Sequence, residues 1–128
     1  NVMINKYDKL LVNGKPGDVA TLKDLTKEFI TPRPSDETAP EVEVKNIELV
    51  GDVMLSKGVV SLQNDRGTSY VMYISVQNEL ARAFNEMKDE MSLKYFNQNF
   101  ADLKDEDKIN AINKIVPVRI SEAEPKEY

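Results

Sequence analysis

The chain contains no cysteine, no histidine and no tryptophan, and only 5 glycines and 6 prolines among its 128 residues. Lack of cysteine excludes disulfides, thiol nucleophiles and thiolate metal ligands. Lack of histidine excludes imidazole bases and the usual zinc sites. No apolar run approaches the roughly 20 residues that cross a bilayer, and the opening residues do not read as a leader. The 17 Lys and Arg are outnumbered by 22 Asp and Glu, for a net charge of -5. The basic residues are scattered rather than gathered in a stripe, which excludes the phosphate-neutralising surface that nucleic acid binding needs.

What is present suits one soluble globular domain over 1–128: 41% apolar and 30% charged residues, enough to bury a single core. In "VMINKYDKLLVNGKPG", the apolar runs Val2 to Ile4 and Leu10 to Val12 predict a hairpin turning near Tyr7-Asp8-Lys9. Asn13-Gly14 and Pro16-Gly17 are expected to stop its second strand. Asp18 stands as N-cap of a helix whose buried stripe is Val19, Leu22, Leu25 and Phe29. Pro32 and Pro34 end that helix and open a mobile insertion at about 31–46. Within it Asp36, Glu37, Glu41 and Glu43 read as a solvated loop rather than an acidic binding patch, while alternation in Glu41-Val42-Glu43-Val44 admits an extra strand.

Val53 to Leu55 and Val59 to Leu62 predict a second hairpin turning at Gly58, with positive φ there, and Val59-Val60 favours an interior strand. A long helix then starts near Tyr70, with Tyr73, Val76, Leu80, Phe84, Met87 and Met91 as its stripe. Those methionines and Phe84 suit core packing better than the wall of a ligand pocket. Glu79, Arg82 and Glu86 read as its solvated face. A further helix begins in the acidic stretch Asp102 to Asp107, buries Ile109, Ile112 and Ile115 or Val116, and closes at Pro117. Val118-Arg119-Ile120 predicts a last strand, and the tail after Ser121 is expected to fray. The order is hairpin, helix, hairpin, helix, short helix, strand: an α+β fold with a small open mixed β-sheet and helices packed on one face.

The turn "NDRGTS" is the one place where polar residues crowd between strong elements. Asp65 and Arg66 with Ser69 or Tyr70 as nucleophile would make a hydrolase, but only carboxylates are available as bases, and these are weak partners for a hydroxyl proton. The competing account is a corner. Asn64 and Asp65 bond to the backbone, Gly67 supplies conformational freedom, and Thr68 or Ser69 caps the helix. The corner is the reading adopted, with no catalytic residue. Gly14-Lys15-Pro16-Gly17 lacks the Lys-Ser/Thr ending of a phosphate loop, and Asp105 and Asp107 lack the pattern of a calcium loop. Neither a metal nor any other cofactor is expected.

"VVSLQNDRGTSY" running into "VMYISVQNELARAFNEM" resembles the strand, Asp-basic turn, Tyr and second helix of the ExbD/TolR family of biopolymer transport proteins. "VNGKPGDVATLKDLTKEF" resembles that family's first hairpin and helix, and "PVRISEAEP" its terminal strand. The likeness is to the ExbD-like proteins of Bacteroidetes and covers nearly the whole chain.

The resemblance implies the periplasmic domain of a single-pass inner-membrane protein whose N-terminal transmembrane helix precedes this chain. It implies a homodimer acting with an ExbB-type proton channel and a TonB-type protein, coupling the proton-motive force to outer-membrane uptake. The family's proton-responsive aspartate belongs to the preceding helix, so Asp65, Arg66, Gly67 and Tyr70 are implied to shape a corner rather than to conduct protons. The stretches 31–56 and 91–113 are longer than the family's usual connections. A second function class, a soluble ligand- or cell-wall-glycan-binding module, is suggested by the amphipathic surface of Tyr70, Tyr73 and Tyr95.

Overall fold

The computed structural model describes residues 1–122. The fold is α+β: the described residues form three α-helices, a mixed five-stranded sheet and a separate two-stranded ribbon. The chain divides into two compact units.

The first unit comprises residues 1–26, 59–82 and the chain from Arg119. Its sheet has the order β3-β2-β1-β6-β7, built from β1 (Val2–Ile4), β2 (Leu10–Val12), β3 (Lys15–Pro16), β6 (Val60–Asn64) and β7 (Ile120–Glu122). The predicted first hairpin forms, with Met3 opposite Leu11. Asn13-Gly14 ends β2 at Val12 as expected. With φ of 52° and 80° the two residues make the tight turn that carries Val12 back to Lys15, the geometry for which Asn-Gly is the favoured dipeptide.

In the interior of that sheet, β6 pairs in parallel with β1 on one side and β7 on the other, as the β-branched Val60 favours, while Val59 stays outside the strand and exposed. Parallel neighbours need a long crossover, so the sheet joins segments far apart in sequence. The last strand falls at Ile120–Glu122 rather than Val118 to Ile120, because Val60 N–H already takes the Arg119 carbonyl and Ile120 is the first residue opposite it. Residues of the predicted frayed tail from Ala123 onward lie outside those described.

α1 (Val19–Ile30) starts as expected, with the Asp18 carboxylate accepting from Ala20 N–H at 3.0 Å. Its buried line is Leu22, Thr26 and Ile30, and Leu25, assigned to the stripe, is 43% exposed. Successive residues turn by about 100° around a helix. A stripe centred on Leu22 and Thr26 therefore leaves Leu25 at its margin, and Thr26 enters the core with its hydroxyl donating to the Leu22 carbonyl. α2 (Tyr70–Phe96) follows its predicted stripe closely: Val76, Leu80, Phe84 and Met87 are buried, Tyr73 and Met91 half-buried.

The second unit comprises Lys27–Gly58 and Ala83–Val118. The second hairpin is not the predicted one. β5 (Gly51–Ser56) pairs antiparallel with β4 (Val42–Ile47), the extra strand that the alternation at 41–44 admitted. Six facing pairs along β4 and β5 give the chain more ladder than a hairpin over Val53 to Leu62 would offer. Gly58 accordingly does not take a positive φ. Its need for glycine is steric, since a Cβ there would stand 2.8 Å from Pro40 Cγ.

Ile47, Val53 and Leu55 are buried on one face of the ribbon. The turn between the strands holds Leu49 at φ 72°. α3 (Glu106–Ile115) is capped by Asp105, whose side chain accepts from Asp107 N–H, and buries Ala111, Ile112 and Ile115. Glu86 does not join Arg82 in a solvated face. It bonds Lys27 at 3.2 Å, with Glu90 on the same ammonium at 2.6 Å, while Arg82 pairs with Glu79 at 2.9 Å.

Candidate functional site

The candidate residues sit where β6 delivers the chain into α2, in the first unit. Asp65 ends the apolar strand and is itself buried, 3% exposed. Its carboxylate accepts from Gly67 N–H at 2.8 Å, and its own N–H donates to the Ile4 carbonyl at 2.9 Å. Thr68 N–H returns to the Asp65 carbonyl at 3.0 Å, so the predicted Asx-type corner closes on itself.

Gly67 is required for a different reason from the one expected. Its φ is not positive. A Cβ there would lie 2.9 Å from Lys6 Cβ, so glycine permits the close approach of the β1–β2 turn. Helix capping falls to Ser69, whose hydroxyl accepts from Met72 N–H at 3.1 Å. Thr68 is released to donate to the carbonyls of Asn5 at 3.0 Å and Ile4 at 3.3 Å. The Asp8 carboxylate completes the joint by accepting from Ser69 N–H at 2.8 Å.

These bonds decide what the site can do. The Ser69 hydroxyl is engaged as the cap of α2, and the Asp8 carboxylate beside it is engaged by the Ser69 N–H. The Asp65 carboxylate is turned into the backbone of its own turn. Around this locked corner, Tyr7, Tyr70 and Val71 are between 73% and 77% exposed, and Arg66 is exposed as well.

Of the three tyrosines considered for sugars, Tyr70 and Tyr73 belong to the first unit and Tyr95 to the second. Tyr73 is committed to a network of its own. Its hydroxyl donates to Glu122 at 2.9 Å and accepts from Gln77 at 2.8 Å, and Gln77 also reaches Glu122. Burial, then the Glu122 carboxylate, raises the Tyr73 hydroxyl above its ordinary value of 10.0. This network ties β7 to α2, a role for Glu122 that alternation in so short a segment did not reveal.

Among the described residues no cluster of acidic side chains is suited to hold a metal, and no helix is long and apolar enough to cross a membrane. No protein-family model, curated protein or solved structure matches the chain.

Proposed function

We infer that this chain is the periplasmic domain of an ExbD-like component of a TonB-type energy-transducing complex. In this role it couples the proton-motive force to outer-membrane uptake through protein contacts, with no chemistry of its own. The observation that carries the reading is the junction at Asp65: a central parallel strand ends in a buried, backbone-bonded aspartate and enters a Ser69-capped helix that opens with exposed Tyr70 and Val71. The quoted resemblance to the family rests on this same stretch, and the junction's bonds serve architecture while the residues beside it offer apolar surface.

In this reading the chain follows an N-terminal membrane helix and works as a homodimer beside an ExbB-type proton channel. Exposed Tyr7, Tyr70 and Val71 meet the TonB-type protein, since aromatic side chains add large contact area at small entropic cost. The full-length gene product, purified in detergent from native membranes, is expected to bring down an ExbB-type channel. Recovery of a protein with no membrane helix and no channel partner would remove the proposal and favour the glycan-binding alternative, which a rise in melting temperature with cell-wall fragments would then identify.

A further inference from the structure

The β4–β5 ribbon of the second unit carries an open edge with an unusual charge order. Lys57 N–H donates to the Glu41 carbonyl at 2.7 Å, and Val42 faces Ser56 in the same register. Residues of an antiparallel pair alternate between exchanging backbone bonds and turning them away. Glu41, Glu43, Lys45 and Ile47 therefore bond to β5, while Val42, Val44 and Asn46 direct N–H and C=O groups away from it. No other strand among those described pairs with that side of β4.

The ribbon's outer face is apolar at its centre. Val44 lies directly opposite Met54, and the two are 62% and 41% exposed. α3 packs against β4 yet leaves Val44, Lys45 and Asn46 exposed. Unpaired edges beside apolar side chains invite strand addition, and proteins usually blunt them with charge or proline.

We propose that β4 pairs antiparallel with β4 of a second copy about a twofold axis through Val44. The sequence Glu41-Val42-Glu43-Val44-Lys45-Asn46 selects this occupant and this register. Centring on Val44 sets Glu43 of each copy opposite Lys45 of the other, and Val44 against Val44. Centring on Val42 would set Glu41 against Glu43, and centring on Asn46 would bring no opposite charges together. The other free edge, along β5, would place Asp52 against Ser56 and gains no ion pair.

In the Val44 register the outward N–H and C=O groups of Val42, Val44 and Asn46 satisfy one another. Glu43 and Lys45 fall at the non-hydrogen-bonded positions, where facing side chains approach most closely. The two ribbons become one sheet of order β5-β4-β4-β5. Its exposed face carries a continuous row of Met54, Val44, Val44 and Met54. The pairing uses the ribbon alone and stands whether or not the chain is a transport component.

Sedimentation velocity on the whole 128-residue chain, from micromolar to millimolar concentration, tests it. A reversible dimer is expected. Val44→Pro removes the central outward donor without touching a bond to β5, a substitution that edge strands tolerate, and is expected to leave monomer only. Lys45→Glu faces Glu43 with a like charge and is expected to weaken the dimer on the order of tenfold, whereas Glu43→Lys combined with Lys45→Glu restores it. Should Val44→Pro prove unfolded by circular dichroism, the charge-reversal pair decides alone. A chain that stays monomeric throughout, or a dimer that Lys45→Glu leaves intact, or one that the double reversal fails to rescue, overturns the pairing.

Discussion

The Thr68 hydroxyl donates to the Asn5 carbonyl at 3.0 Å across 63 residues of sequence. With Asp8 accepting from Ser69 N–H and Asp65 N–H donating to Ile4, it holds the β1–β2 turn against the entry to α2. The corner is thus a joint between two distant segments, which explains why its polar residues are turned inward to the backbone. Replacing Thr68 with valine keeps the shape and removes the donor, while the Asn5 and Ile4 carbonyls keep the N–H groups of Asp8 and Asp65. The expected cost is about 0.5–1.5 kcal/mol, read as a shift in the urea midpoint with unchanged slope, and Thr68→Ser should recover most of it.

Gly67 tests the close approach rather than the backbone angle. Gly67→Ala puts a methyl 2.9 Å from Lys6 Cβ and should cost about 1–3 kcal/mol. Combined with Lys6→Gly, which removes the atom it meets, the loss should be smaller than the two single losses summed, a coupling measured by a double-mutant cycle. Simple additivity would mean that the contact is not the cause.

Alkaline stability follows from two groups. Glu90, bonded to the Lys27 ammonium, together with Glu86, raises Lys27 above its ordinary value of 10.5 against the opposing effect of burial. Folding therefore favours the protonated amine. The stability from Lys27 is full below about pH 10.5 and is lost as pH rises through the higher folded value. Tyr73 acts in the same direction, since its neutral form is favoured and that contribution declines above its ordinary 10.0. Stability measured between pH 9 and 12 should fall less steeply in Lys27→Met and Tyr73→Phe than in the wild type. An unchanged slope in both would refute the assignment.

Leu49 pays a conformational cost at the ribbon's tip, where its φ is 72° and its side chain is 58% exposed. Left-handed backbone costs an ordinary residue about 1–2 kcal/mol, and asparagine tolerates it better. Leu49→Asn should raise stability by roughly 0.5–1 kcal/mol, measured by chemical denaturation. A loss of stability instead would show that Leu49 contributes packing that its exposure conceals.

How much was legible in the sequence depended on whether a signal was local. α2 is readable because Val76, Leu80, Phe84 and Met87 repeat the helical period over several turns and are all buried. The cap at Asp18 and the turn at Asp65 are readable because side chain and partner lie two residues apart. Strand pairing is not local. Val53 to Leu55 and Val59 to Leu62 look like neighbours, yet β5 turns back onto β4 and β6 runs parallel to β1 and β7. The reason for Gly67 was hidden likewise, because Lys6 is brought to it only by the fold. The pairing of Glu86 is hidden in the same way, because its partner Lys27 lies on another helix.

The central claim is that this chain acts by contact through the surface beside a locked corner. The most direct test is an NMR titration of the isotope-labelled chain with the periplasmic domain of a TonB-type protein, at concentrations matching two proteins held by one membrane. The account predicts shifts concentrated at Tyr7, Tyr70 and Val71, with Asp65 and Thr68 keeping their hydrogen-bonded positions. Resonances unmoved at saturating partner, across the whole chain, would contradict it.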